Sequence, residues 1–133
     1  DEVRIVKENG SHVGPLEPIS KEPFPAKAIL GWTQAVDFPN WEEMGELGIK
    51  LTDPQVDWMG ERYPLAGEKL LGWPYWVQGV EYPNCPECDA RMRLLFQIDS
   101  DKNLPVCWGD VGVGHITQCP NHLNVLTFAW ACS

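Results

Sequence analysis

Asn84-Cys85-Pro86-Glu87-Cys88 and Cys119-Pro120-Asn121-His122, with thirty residues between Cys88 and Cys119, frame the stretch whose reading decides the fold. Each motif sets two metal-ligand side chains on one bend, as C-x₂-C and C-x₂-H turns do. Brought together, Cys85, Cys88, Cys119 and His122 supply three thiolates and an imidazole, the tetrahedral donor set that a structural Zn²⁺ takes up. The proline after the first cysteine of each turn fixes φ and removes an N–H, which leaves the other amides of the bend to face the sulfurs. The intervening residues suffice for a strand out, a loop and a strand back. The spacing therefore predicts a zinc ribbon over residues 85–122, with residues 92–98 as a strand inside it. Two rival readings exist. A redox pair at Cys85 and Cys88 leaves the second turn unexplained, and disulfides need an oxidising compartment and sit badly with an odd count of five cysteines. A site with four protein ligands is closed, so the metal is expected to staple rather than catalyse.

Working outward, residues 91–99 alternate. Met92, Leu94, Phe96 and Ile98 fall on one face and Arg93, Leu95, Gln97 and Asp99 on the other, the pattern of a half-buried strand. A polar turn over 99–103 and a short strand over 105–108 follow. Gly109, Gly112 and Gly114 make residues 109–114 a glycine-rich turn, and residues 115–118 lead back to the second metal turn. Leu126, Phe128 and Trp130 alternate with Val125, Thr127 and Ala129 in a closing strand. Upstream lies a dense aromatic cluster at Trp73, Tyr75 and Trp76, broken by Gly72 and Pro74 and expected to serve mainly as core.

The first half is less regular. Residues 3–6 read as a short edge strand, and residues 14–25, with four prolines, as an extended connector. Alternation over 26–38 suggests a strand that Pro39 ends. Asn40 is a natural N-cap for a short helix over 41–48, with acidic residues in its first turn and Gly48 to stop it. Its carboxylates Glu42, Glu43 and Glu46 read as a solvated face. Asp53-Pro54 opens a turn or a second short helix through Val56, Trp58 and Met59.

These elements make a β-rich α+β fold: an antiparallel sheet, one or two short helices and a zinc-ribbon-like site. At 133 residues the chain fits a single domain, 1–133, with an irregular or helical part over 1–66 and the sheet mainly in 67–133. It begins at Asp1 rather than methionine, so it reads as a processed product or a fragment. No apolar run approaches the roughly 20 residues that span a membrane. Unpaired cysteines beside a metal motif favour a reducing cytoplasm. Ten basic against nineteen acidic residues give −9, with no basic stripe for a phosphate backbone, so nucleic acid is not the expected ligand. The acidity suits solubility or a basic protein partner.

Four motifs in order carry a resemblance. Residues 71–78 from Leu71-Gly72-Trp73-Pro74, residues 94–101 from Leu94-Leu95-Phe96-Gln97, Trp108-Gly109-Asp110-Val111-Gly112-Val113-Gly114, and the terminal Phe128-Ala129-Trp130-Ala131-Cys132 resemble the C-terminal half of the YwqG-like family, bacterial proteins of unknown function. The resemblance covers about residues 68–133; the first half is similar only loosely, through Trp41 and the acidic helix. Members of that family are commonly about twice this length, and its simplest members lack the two metal turns. More distantly, the chain is similar to the programmed-cell-death-protein-2 proteins, which pair zinc-binding turns with a related domain and act as chaperones for a ribosomal protein. Protein binding is what that similarity implies.

Other residues carry weaker signals. The glycine-rich turn lacks the spacing and lysine of a phosphate loop and reads as a tight hairpin, with Trp108 packed below it. Asp99, Asp101, Asp110 and His115 would make an acid–base set if the two turns converged. Cys107 sits between Val106 and Trp108 and reads as a buried, inert thiol. Cys132 is a candidate spare ligand, although the four inner residues already close a site; His12 carries no signal, and Gln78 and Gln97 are expected to bond backbone within the sheet. The leading expectation is a cytoplasmic, zinc-stabilised, protein-binding or chaperone-like module, able to neutralise a basic protein partner such as a toxin. The alternatives are an enzyme using Asp99, Asp110 and His115, and a structural half of a larger duplicated domain.

Overall fold

The computed structural model describes residues 27–133 apart from residue 101. The expected strand over 3–6, the connector over 14–25, His12 and Asp101 lie outside the described residues. Two short helices, α1 (Trp41–Glu46) and α2 (Asp53–Gly60), precede four strands: β1 (Lys69–Leu70), β2 (Arg93–Asp99), β3 (Val113–Gln118) and β4 (Leu126–Ala131). The strands form one antiparallel sheet in the order β1-β2-β3-β4. This is the β-rich α+β architecture read from the sequence. No helix among the described residues is long and apolar enough to cross a membrane.

Local chemistry explains the helices. The Asn40 side chain accepts hydrogen bonds from the Glu42 and Glu43 amides at 2.7 and 3.2 Å, satisfying two of the donors that a helix start leaves open. Leu47 caps the other end, and Gly48 follows at φ +73°, where a side chain would be strained. In α2 the Thr52 amide donates to Gln55 Oε1 at 2.9 Å, and Pro54 occupies the first turn, where its missing N–H costs nothing.

Four expectations fail, each for a physical reason. Residues 27–38 form no strand: alternation describes a half-buried face but does not supply a hydrogen-bonding neighbour. Ile29, Leu30 and Val36 stay exposed, Leu30 at 98%. The segment is held instead by Asp37, which accepts from the Leu65 and Trp73 amides at 2.9 and 3.0 Å and from Lys69 Nζ at 2.9 Å. Trp32 adds an edge-on contact with Phe96, ring centroids 5.9 Å apart. Residues 105–108 are likewise irregular, and Cys107 is exposed rather than buried, its thiol near the Gly109 carbonyl.

The third failure lies within β2. Leu94 pairs with Thr117 but Phe96 pairs with Ile116, so Leu95 is an extra residue, a β-bulge. The inward face therefore runs Met92, Leu94 and then Gln97 and Asp99, all buried, while Phe96 and Ile98 turn outward and are only half-buried. The fourth concerns Glu43, which is 1% exposed and not solvated. Its carboxylate accepts from the Tyr82 hydroxyl at 2.6 Å and Trp76 Nε1 at 3.3 Å, with Arg91 3.7 Å away. Arg91 also lies over the Tyr82 ring and donates to Glu46 at 2.7 Å, so α1 is tied to the start of β2. Burial and the bond to Glu43 raise the Tyr82 hydroxyl well above the ordinary tyrosine range.

The glycine-rich turn does pack over Trp108, but with residues 105–108 irregular it is the end of the β2–β3 connection rather than a tight hairpin. Its glycines have distinct causes. A Cβ on Gly112 would lie 2.1 Å from the Ala131 carbonyl oxygen, and one on Gly114 would meet the Trp108 ring at 2.9 Å. β3 starts at Val113, two residues before the expected start, at 115, of the segment that leads back to the second metal turn.

Candidate metal centre

The two cysteine motifs sit at the same end of the sheet. In the first, Asp89 N–H bonds to Cys85 C=O at 2.8 Å and Cys85 N–H to Ala90 C=O at 2.9 Å. An isolated bridge between Asn84 and Arg91 closes this knuckle just before β2 begins. In the second, Cys119 N–H bonds to Val125 C=O and Val125 N–H to His122 C=O, so the knuckle is the β3–β4 connection itself. Antiparallel pairing of β2 with β3 then puts the entry of one strand beside the exit of the other. The sheet thus brings together residues far apart in sequence.

The ligand atoms of Cys85, Cys88, Cys119 and His122 all lie within 4.8 Å of one another, a group that can hold a metal ion. Cys88 Sγ and Cys119 Sγ are 3.7 Å apart, and His122 Nδ1 lies 3.7 Å from Cys85 Sγ and 3.8 Å from Cys119 Sγ. A tetrahedral ion with metal–sulfur bonds of about 2.3 Å spaces its sulfurs by about 3.8 Å, and a sulfur and an imidazole nitrogen by about 3.6 Å. A disulfide would bring sulfurs to about 2.05 Å. All the cysteines of the described residues are free thiols. The donor set and its spacing therefore fit a tetrahedral metal and do not fit a cystine.

Surrounding groups are arranged for charged sulfur. The Asn121 and His122 amides each donate to Cys119 Sγ at 3.3 Å, and Asn121 Nδ2 to Cys88 Sγ at 3.6 Å. Burial raises the Cys85 thiol above the ordinary range. Cys88 is lowered, chiefly by the Ala90 backbone N–H. At Cys119 burial pushes upward, but the two amides prevail and the thiol is lowered. On the far side of the imidazole, His122 Nε2 faces a Glu87 carboxylate oxygen at 3.6 Å. Nδ1 is the nitrogen turned toward the sulfurs and would be the ligand atom, with the carboxylate placed where outer carboxylates flank metal-bound histidines. Buried Cys85, Met92 and Cys119 form an apolar cluster, with Val125 packed against it.

The residues proposed as an acid–base set are used otherwise. Asp99 accepts from the Gly67 amide at 2.8 Å and from its neighbour Ser100 at 2.8 Å. Asp110 is exposed on the turn, and His115 is 4% exposed under Trp76, with ring centroids 4.9 Å apart. No hydrogen bond joins Asp99, Asp110 and His115 among the described residues. Burial takes the His115 imidazole down to about 4, against a backbone hydrogen bond to Tyr75 that favours its protonated form. It is thus neutral at pH 7.

Gln97 and His115, partners across β2 and β3, hold the aromatic loop. Gln97 Oε1 accepts the Tyr75 N–H at 2.8 Å, and its amide donates to Gly67 C=O at 2.9 Å. The backbone bonds expected of Gln97 exist, but they join the sheet to the loop rather than strand to strand. Gln78 donates to the Cys132 carbonyl. Trp73 and Trp76 are half-buried and Tyr75 more exposed. Sequence reading missed the Asp37 and Glu43 hubs; the aromatic and basic residues gathered near Glu43 in space have no shared spacing along the chain.

An antiparallel α+β domain closed at one end by a Cys₃His cluster is the class this fold and site define. The chain belongs to the family described as a domain of unknown function (DUF1963), whose model matches residues 15–132. The match includes the first half, which the motif resemblance reached only loosely. Comparison with curated proteins and with solved structures gives no match.

Proposed function

We propose that the chain is a zinc-stapled, protein-binding module of the cytoplasm whose partner carries basic charge. The observation that carries the metal half is the Cys₃His cluster, with S···S and S···N separations of 3.7–3.8 Å. Three thiolates and an imidazole select zinc among common divalent ions, and four protein ligands leave no position for substrate. Zinc would be held by Cys85, Cys88, Cys119 and His122 and would fix the two knuckles to each other.

The partner half rests on the net charge of −9 and on large exposed side chains such as Trp41, Leu71 and Trp130. The resemblance to the YwqG-like family, and more distantly to the programmed-cell-death-protein-2 chaperones, supports the same reading. An enzyme built on Asp99, Asp110 and His115 is less well supported, because Asp99 is bound to the Gly67 and Ser100 amides and Asp110 is exposed on its turn. Elemental analysis should find one zinc per chain. Capture of basic proteins from the host should weaken as salt rises, since a steered acidic interface is screened. Metal-free protein of undiminished stability would defeat the first half, and salt-independent capture the second.

The exposed apolar side chains of residues 29–36 favour a second reading, a structural half whose counterpart covers Ile29, Leu30 and Val36. Salt-insensitive association with a domain of the same family, lost in Leu30→Ser, would support it.

A further inference from the structure

His115 Nε2 is a buried side-chain nitrogen without a hydrogen-bond partner, the one such atom among the described residues. Buried polar atoms are nearly always paired, so this atom requires an explanation. The imidazole's backbone bond is to Tyr75, whose own N–H is engaged by Gln97, so it is Nδ1–H that meets the Tyr75 carbonyl. That bond sets the tautomer: Nδ1 carries the proton, and Nε2 presents a bare lone pair.

The lone pair belongs to a residue that lines a hollow between the 76–83 loop and the inner faces of β3 and β4, about 40 Å³ in volume. Its other walls include Trp76, Val77, Pro83 and Ala129. Of the polar side chains beside it, Glu81 is exposed to solvent and the other two are occupied. Thr117 exchanges a hydrogen bond with Thr127 at 2.7 Å, and the Gln78 amide donates to Cys132. The volume exceeds the roughly 10–15 Å³ that a water needs, but a well-held water wants two to four polar partners. Here the imidazole offers one, against walls that are otherwise largely apolar. An anion would meet a lone pair and the Glu81 carboxylate, and a cation drawn to that exposed carboxylate keeps its hydration there rather than shedding it for the one buried acceptor. One O–H on a short hydrocarbon satisfies both halves of the hollow.

We propose that this hollow is a binding site for a small neutral alcohol group, whose hydroxyl donates to His115 Nε2 while its alkyl part lies against Val77, Pro83 and Ala129. The site is separate from the metal cluster, and its failure would leave the zinc reading untouched. Burial holds the imidazole neutral at pH 7 and makes it an acceptor rather than a base, which suits binding and not proton transfer.

The zinc-loaded chain, labelled with ¹⁵N at histidine, would be titrated with 2-propanol and with acetone, which has the same heavy-atom skeleton but no donor. The expected result is a saturable shift of the His115 Nε2 resonance with 2-propanol and roughly tenfold weaker binding of acetone, the scale of one lost hydrogen bond. N-acetylthreonine methylamide distinguishes the sources: tighter binding than 2-propanol places the hydroxyl on a peptide, and equal or weaker binding on a free small molecule. In His115→Phe the preference for 2-propanol over acetone should vanish. Equal responses to the two probes, no saturable response, or a crystal structure with a fixed water on Nε2 that 2-propanol does not displace would overturn the proposal. The wild-type comparison stands even if the variant does not fold.

Discussion

Replacing Cys88 by serine tests the metal reading most cleanly. Cys88 is exposed, whereas Cys85 and Cys119 are buried, so Cys88→Ser removes a ligand without opening a cavity in the Met92–Val125 cluster. Structural zinc in small peptides binds with about 10–16 kcal/mol of apparent free energy, so one ligand of four is worth about 3 kcal/mol. For a domain of this size that amounts to a fall in Tm of about 10 °C. The assay is a thermal melt of wild type and variant, with and without a strong chelator, beside zinc stoichiometry by elemental analysis. The two proteins should differ by about 10 °C when loaded and melt together once the metal is stripped. Cys107→Ser, an exposed thiol outside the cluster, should match wild type in both states. A gap that persists in chelator would mean that Cys88 acts through packing, and no gap at all would refute the coordination argument.

Further outcomes follow from other parts of the molecule. Gly112→Ala sets a methyl 2.1 Å from the Ala131 carbonyl oxygen, backbone that cannot move aside cheaply; it should cost about 2–4 kcal/mol by denaturant melt, while Gly31→Ala, with nothing within 4 Å, should be near neutral. Glu43→Gln keeps the shape but points an amide donor at either Tyr82 or Trp76, and a loss of about 1–3 kcal/mol is expected in the same assay. For His115 the folded value, about 4, lies below the ordinary 6.5, so the unfolded chain binds more protons between them. Stability from this group is therefore complete above about pH 6.5 and lost as pH falls toward 4, by up to about 3 kcal/mol. NMR titration should find the ring still neutral at about pH 5.5, and a midpoint near 6.5 would contradict its burial.

The Cys₃His cluster, the Asn40 cap and the closing strand were legible because each depends on residues near one another in sequence or on a spacing with one chemical use. Residues 27–38 were not, because alternation is silent about whether a neighbouring strand exists. Glu43 was read as solvent-facing because helical spacing alone cannot show that Tyr82, Trp76 and Arg91 arrive from another part of the chain. Cys107 was misjudged from its apolar neighbours, although Pro105 and the adjoining turn keep that segment off the sheet. His115 reads from the sequence as a catalytic candidate, but its burial under Trp76 and its bond to Tyr75 are tertiary facts.

The extra residue in β2 has a consequence for how the family's length can vary. One end of the strand is anchored by the cluster through Met92, and the other by Gln97 gripping Tyr75. Between them the count of residues has the wrong parity for a flat ribbon, and Leu95 absorbs the mismatch. A deletion there would restore even parity, so the ribbon would run flat with both anchors still on one face; the bend, and not the anchoring, is what the extra residue contributes.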